Sequence, residues 1–310
     1  MRAGATTVRM LSDATQVQIM RAMAGGFKAL AVPEGYTGEG RPQRPPPQRP
    51  RRPEKPHPAG YDDMYTITPA GRARLPVADG IELWLLKAPE GALAYADPRA
   101  KRAIELLAEA WGHGLAHAIA AGPVEKHELL AGCELSRRAA KRLLADLRRV
   151  GLVEDATTPA NAGAYAATEW LRRGIAPLAL AARVERTDPP PGAKPVDALD
   201  VEAAMLLVAP LLRLDEGLSG ACRMAVRLGE PGRRHPVGVT VRVGEGRILA
   251  CERGLDTDAT AEVVGELEPW FAALIDQRPK RLRFDGDRRL ARALVAECGK
   301  ALFDEAAYAH

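Results

Sequence analysis

The segment Tyr65-Thr-Ile-Thr68-Pro69-Ala-Gly-Arg-Ala-Arg-Leu75-Pro76 recurs one hundred residues on as Tyr165-Ala-Ala-Thr168-Glu-Trp-Leu-Arg-Arg-Gly-Ile175-Ala-Pro177. Each copy reads as a short strand that ends at a threonine N-cap and runs into a helix. Pro69 falls at the first helical position, where proline is tolerated. Upstream, residues 11–26 and 107–122 form a second matching pair, both read as amphipathic helices stopped by glycine. Two copies of one unit are the economical reading. In a chain of 310 residues they leave about a third over for a further domain.

The two copies are not equal. Where the first should continue, residues 41–58 read RPQRPPPQRPRRPEKPHP. Such a stretch cannot keep a helical hydrogen-bond ladder and has almost nothing to bury, so 33–60 is expected to be an extended loop. It contributes a net +5 to a total formal charge of +4, leaving the rest of the chain at −1. The basic character of the protein therefore comes from one segment and does not by itself indicate a nucleic-acid-binding face. Two accounts of the segment stay open: a basic arm that grips phosphate without regard to sequence, or GC-rich codons read out of frame over 29–57. A second proline-rich break, at 188–195, sets off the last third of the chain.

The second copy is complete. A short helix is expected over 123–130, followed by a turn at Gly132. Ser136 should then cap a helix running to Val150 and closed by Gly151. Residues 152–154 and 165–167 can pair as a wing. Helix, helix, turn, helix, wing, helix is the order of a winged helix-turn-helix. At 100° per residue, Leu143, Leu147 and Val150 share one side of 136–150 with Ala139 and Ala140. Arg137, Arg138, Lys141, Arg142, Arg148 and Arg149 lie nearly opposite. Arginine offers a bidentate fork to guanine and lysine a point charge to phosphate, and the first turns of such a helix reach the bases. The expected DNA-contacting residues are therefore Ser136, Arg137, Arg138, Lys141 and Arg142, with Arg148 and Arg149 nearer the DNA backbone or solvent. The wing tip, 155–164, contains no lysine or arginine, which argues against a phosphate grip there.

GPVEKHELLAGCELSRRAAKRLLADLRRVGLVE followed by YAATEWLRRGIAPL resembles the winged-helix regulators of the HxlR and MarR/ArsR type, and YTITPAGRARLPV resembles the strand-and-helix ending of HxlR-like domains. The resemblance covers 8–32 and 61–187 and implies a DNA-binding transcriptional regulator. Its first copy, residues 1–94, lacks a recognisable recognition helix; its second, 95–187, is whole.

In the last third, a buried helix is expected over 201–214 and a strand over 221–228. A hairpin over 236–251 should turn at Gly244-Glu245-Gly246, with further strands at 259–264 and 281–284. A helix over 267–275 and a final one capped by Asp287 complete an α+β domain with a mainly antiparallel sheet. The run from Trp270-Phe271 through R-L-R-F-D-G-D-R-x-L-A resembles the sterol-carrier-protein-like fold over 201–305. That likeness implies an apolar pocket lined by Trp270, Phe271 and Leu274 and suited to a lipid-like or aromatic effector.

Other functional classes find little support. His113 and His117 stand four apart on an expected helix, without the glutamate or cysteine partner a metal site needs. No G-x-S-x-G, P-loop or dinucleotide fingerprint is present. Cys133, Cys222, Cys251 and Cys298 are too scattered for a zinc site and suit reduced, mostly buried thiols. No run is long enough to span a membrane, and no secretory signal is evident. The whole reads as α+β: tandem winged helices, a linker at 188–200 and a sterol-carrier-protein-like domain over 201–310. It is expected to be a cytoplasmic, non-enzymatic homodimer without cofactor that binds double-stranded DNA and answers to an apolar small molecule. The alternative is a dimeric carrier or scaffold that has lost DNA recognition.

Overall fold

The computed structural model describes residues 69–158, 161–187, 189, 194–229 and 235–303. The helix expected over 11–26, the Pro/Arg-rich loop and the Tyr65 strand lie outside the described residues, as do residues 159–160 of the wing tip and residues 188 and 190–193 of the linker. The described chain is mixed α+β, with helices and two sheets.

Helix α1 (Pro69–Leu85) begins at the proline expected to open it and continues through Pro76. Its partner in the repeat is the pair α6 (Glu169–Arg173) and α7 (Ile175–Thr187). The repeated helices pack on one another: α1 lies along α7, with Gly80 facing Pro177 and Leu180.

Between them, α2 (Pro98–Gly112) is capped by Asp97, whose side chain accepts from the Arg99 amide at 2.7 Å. The single helix expected over 107–122 is broken in two. Gly114 sits at φ 76°, a left-handed conformation that interrupts the ladder, and α3 (Leu115–Ile119) restarts beyond it. The helix expected over 123–130 is also corrected. Val124–Glu125 forms a strand, β1, paired with Tyr165 and Ala164, and α4 (Lys126–Ala131) follows. The edge of β3 pairs with Val124 and Glu125, so the helix starts only at Lys126.

Helix α5 (Arg137–Val150) has the expected ends. The Ser136 hydroxyl accepts from the Ala139 amide at 3.4 Å, and Gly151 closes the helix at φ 83°. The Leu152 amide then returns to the Leu147 carbonyl at 2.9 Å. Strands β2 (Val153–Thr158) and β3 (Asn161–Ala167) form an antiparallel hairpin. With β1 they make a sheet of order β1-β3-β2.

In the last third, α8 (Ala198–Val208) opens with a reciprocal capping box between Asp197 and Asp200. It is shorter than the helix expected over 201–214, because Pro210 tightens the chain into a 3-10 turn over Ala209–Leu211. Strands β4 (Gly220–Leu228), β5 (His235–Gly244), β6 (Arg247–Arg253), β7 (Ala261–Glu266) and β8 (Arg283–Gly286) form a sheet of order β6-β5-β4-β7-β8. Only β4 and β7 pair parallel; the rest is antiparallel. Helices α9 (Leu267–Leu274) and α10 (Arg288–Phe303) pack on it, and Asp287 caps α10 by accepting from the Arg289 and Leu290 amides.

Helix α8 explains how the two parts of the chain share one buried core. Its residues Val201, Ala203, Leu206, Leu207 and Val208 are buried, while Leu199, Asp200 and Glu202 keep its first turn partly open to solvent. It lies between α3, α6 and α7 on one side and β5 and β6 on the other. Leu206 and Leu207 are almost completely buried there, each worth roughly 1.5–3 kcal/mol in area removed from water.

Candidate functional site

Helix α5 is held from beneath by apolar packing and from one flank by charge. Ala140, Leu143, Leu144 and Leu147 are buried, which matches the face expected for them and adds Leu144 to it. Arg102 of α2 reaches Asp146 at 2.8 Å, and Arg149 reaches the same carboxylate at 2.6 Å. Burial alone would raise the Asp146 pKa, but these two guanidiniums outweigh it and hold the carboxyl below its ordinary value.

The basic face divides into two halves. Arg137, Arg138, Lys141 and Arg142 are exposed and form no ion pair with another described residue. Ser136 caps the same end. Arg148 is paired with Asp155 of β2 and sits 5.5 Å from the Tyr165 ring centre, and Arg149 is committed to Asp146. The open cationic charge is thus concentrated on the first turns of the helix, directly after α4 and the turn at 132–135 and directly before the β2–β3 hairpin.

The three residues expected to line an apolar pocket sit differently from one another. Trp270 is buried in the core of the last third and donates its indole N–H to the Ala225 carbonyl at 2.9 Å. The Leu274 backbone lies over Gly299 of α10. Phe271 alone of the three reaches a cleft of about 550 Å³ that lies between the two halves of the molecule rather than between sheet and helices.

Across this cleft the halves are tied by charge. His117 Nε2 lies 3.0 Å from Asp200, and its ring packs against Trp111 with centres 4.4 Å apart. Arg253 donates to the His117 carbonyl at 2.8 Å. Arg183 of α7 holds Asp276 at 2.7 Å and Glu268 at 3.2 Å. Glu185, also on the cleft wall, has a buried Oε1 without a hydrogen-bond partner among the described residues, and burial raises its pKa against the pull of Arg74.

His113 and His117 do not share a helix. His113 ends α2 and His117 belongs to α3 beyond the glycine break. Among the described residues no group of three or more His, Cys, Asp and Glu side chains is placed to hold a metal ion. All four cysteines are free, and burial pushes the Cys222 and Cys251 thiols up to about 12. No described helix is long and apolar enough to cross a membrane.

The ties Arg183–Asp276 and His117–Asp200 were not anticipated from the sequence, because their members stand 93 and 83 residues apart. No local pattern marks such pairs. A comparison with protein-family models and with curated proteins finds no match for this chain.

Proposed function

We propose that this chain is a DNA-binding transcriptional regulator, with residues 95–187 acting as a winged helix-turn-helix of the HxlR-like kind and α5 as its recognition helix. The observation that carries the reading is the unpaired cluster Arg137, Arg138, Lys141 and Arg142 on the first turns of α5. A helix and turn precede α5 and an antiparallel hairpin follows it, the arrangement in which such a helix enters a major groove. The last third is proposed to be a sterol-carrier-protein-like sensor of an apolar small molecule, and two copies of the chain are proposed to span two half-sites. Effector binding would act by shifting the orientations open to the DNA-binding part.

A labelled duplex from the gene's own upstream region, titrated against a scrambled duplex at low and physiological salt, tests this. A regulator binds the native duplex more tightly, and the difference survives physiological salt. Replacing Arg137, Arg138 and Lys141 by Ala lowers affinity and flattens the salt dependence by about one unit of slope for each phosphate no longer neutralised. Equal binding to both duplexes that vanishes with salt overturns the reading.

The second reading is a carrier whose helices serve as a scaffold. It is favoured by the capture of Arg148 and Arg149 by Asp155 and Asp146, which neutralises two of the six cations of the basic face. In that case the triple substitution changes no measured DNA affinity.

A further inference from the structure

A cleft of about 750 Å³ opens between the end of α3, α6, the 3-10 turn after α8 and strand β6. Its walls are apolar, from Ala120 on one side to Leu206, Leu212 and Leu249 on the other. Among the described residues its only charged lining is three arginines, Arg172, Arg213 and Arg247.

Their states differ. Arg213 is already used, donating to the Pro210 and Leu212 carbonyls at 3.2 and 2.9 Å. Arg247 is exposed at the start of β6. Arg172 is the unusual one: its Nη1 is buried, and it has no hydrogen-bond partner among the described residues. Burial lowers its pKa, opposed by the charge of Glu154. A buried cationic donor without an acceptor is costly, and the native chain keeps one on the wall of an open cleft. Leu249, 70% exposed on the same wall, is a large apolar side chain also left uncovered.

The 550 Å³ cleft carries no comparable signal for an anion, because four carboxylates, Glu134, Glu185, Asp197 and Asp200, outnumber Lys194 and Arg253 in its lining.

We propose that the 750 Å³ cleft binds an organic anion, a carboxylate carried on an apolar body. The carboxylate accepts from the Arg172 guanidinium, whose planar fork matches it, and the body lies over Leu212 and Leu249. The volume falls within the range of small-molecule sites. Because the cleft joins α6 to β6, an occupant touches both halves of the molecule. The proposal rests on the sensing half of the function proposed above and gives the effector a charge and a place. It does not depend on DNA binding.

The test is calorimetric titration of the full chain, without DNA, with decanoate, 1-decanol and decyltrimethylammonium. Decanoate is expected to bind at one site, decanol at least tenfold more weakly, and the cation not at all. Arg172→Met should cost at least tenfold in decanoate affinity and leave decanol unchanged. Its melting temperature should be equal to or above that of the native chain, since a side chain that merely supported the fold would lower it. Leu249→Asp, at an exposed position, should abolish decanoate binding without altering the fold. Equal binding of decanoate and decanol, no decanoate binding up to millimolar concentration, or unchanged affinity in Arg172→Met overturns the proposal. Such a failure leaves the duplex titration standing, and a chain that ignores DNA can still bind decanoate.

Discussion

Trp84 and Trp170 exchange their indole hydrogen bonds: Trp84 Nε1 donates to the Trp170 carbonyl at 2.8 Å, and Trp170 Nε1 to the Trp84 carbonyl at 2.9 Å. The rings stack with centres 4.7 Å apart and planes within 15°. Both residues are buried, so each indole is satisfied by the backbone of the other and the end of α1 is locked to α6. The pair fastens the only described part of the first repeat copy to the second.

Replacing either tryptophan by Phe keeps much of the stacked area but removes the indole donor from a carbonyl that keeps only its backbone partner, the Lys87 amide at Trp84 or the Gly174 amide at Trp170. Each single change is expected to destabilise by about 0.5–1.5 kcal/mol. The two together should cost less than the sum of the singles, because either single change already removes the indole-on-indole overlap. Urea unfolding of the four species of the double-mutant cycle measures this coupling.

Arg148 and Arg149 are held by Asp155 and Asp146, whereas Arg137 and Arg142 form no ion pair with another described residue. Arg137→Ala and Arg142→Ala should therefore weaken duplex binding more than Arg148→Ala and Arg149→Ala. Asp155→Asn, which frees Arg148, should raise affinity at low salt. Fluorescence anisotropy of the five variants and the native chain at matched salt decides the ranking.

The two halves of the molecule should loosen in acid. Arg183 holds the Asp276 carboxyl below its ordinary range against the opposing effect of burial. For Asp200 burial is the largest influence and raises the pKa, but the His117 contact and the Asp197 amide more than reverse it. A carboxylate with a lowered folded-state pKa stabilises fully at pH well above the unfolded-chain value of about 3.9 and loses that contribution as pH falls through the folded-state value. Unfolding free energy should thus fall on acidification through this range, and Asp276→Asn should flatten the fall. Urea titrations at neutral and acid pH measure both slopes.

Gly151 ends α5 at φ 83°, and a Cβ there would stand 2.8 Å from Pro89 Cγ. Gly151→Ala is expected to cost about 1–2 kcal/mol through the left-handed conformation alone. A thermal melt of the variant checks it. Unchanged stability would mean that the end of α5 can close another way.

The thiols should be sluggish. Burial is the first cause of the raised pKa at Cys133, Cys222, Cys251 and Cys298. The thiolate is the reacting form, so a disulfide reagent at pH 8 should label the native chain far more slowly than the urea-unfolded chain. Rapid labelling of the folded protein would contradict that burial.

What the sequence determined by itself was whatever depends on neighbours within a few residues. Ser136 and Gly151 bracket α5 because a hydroxyl can reach an amide three residues on and a glycine can turn left-handed. The alternation of 236–243, the turn Gly244-Glu245-Gly246 and the cap at Asp287 are local for the same reason. The basic face of α5 was legible as a period of 3.6, but which of its arginines were open was not, since Asp146 and Asp155 capture Arg149 and Arg148 only once helix and hairpin are folded together. Tertiary structure alone decided that 124–125 pairs with β3 instead of joining a helix, and that α8 lies between the two parts of the chain. It alone placed Trp270 against the Ala225 carbonyl and left Arg172 unpaired on the wall of a cleft. Each of these depends on groups dozens of residues apart, whose meeting leaves no period or spacing in the chain to be read.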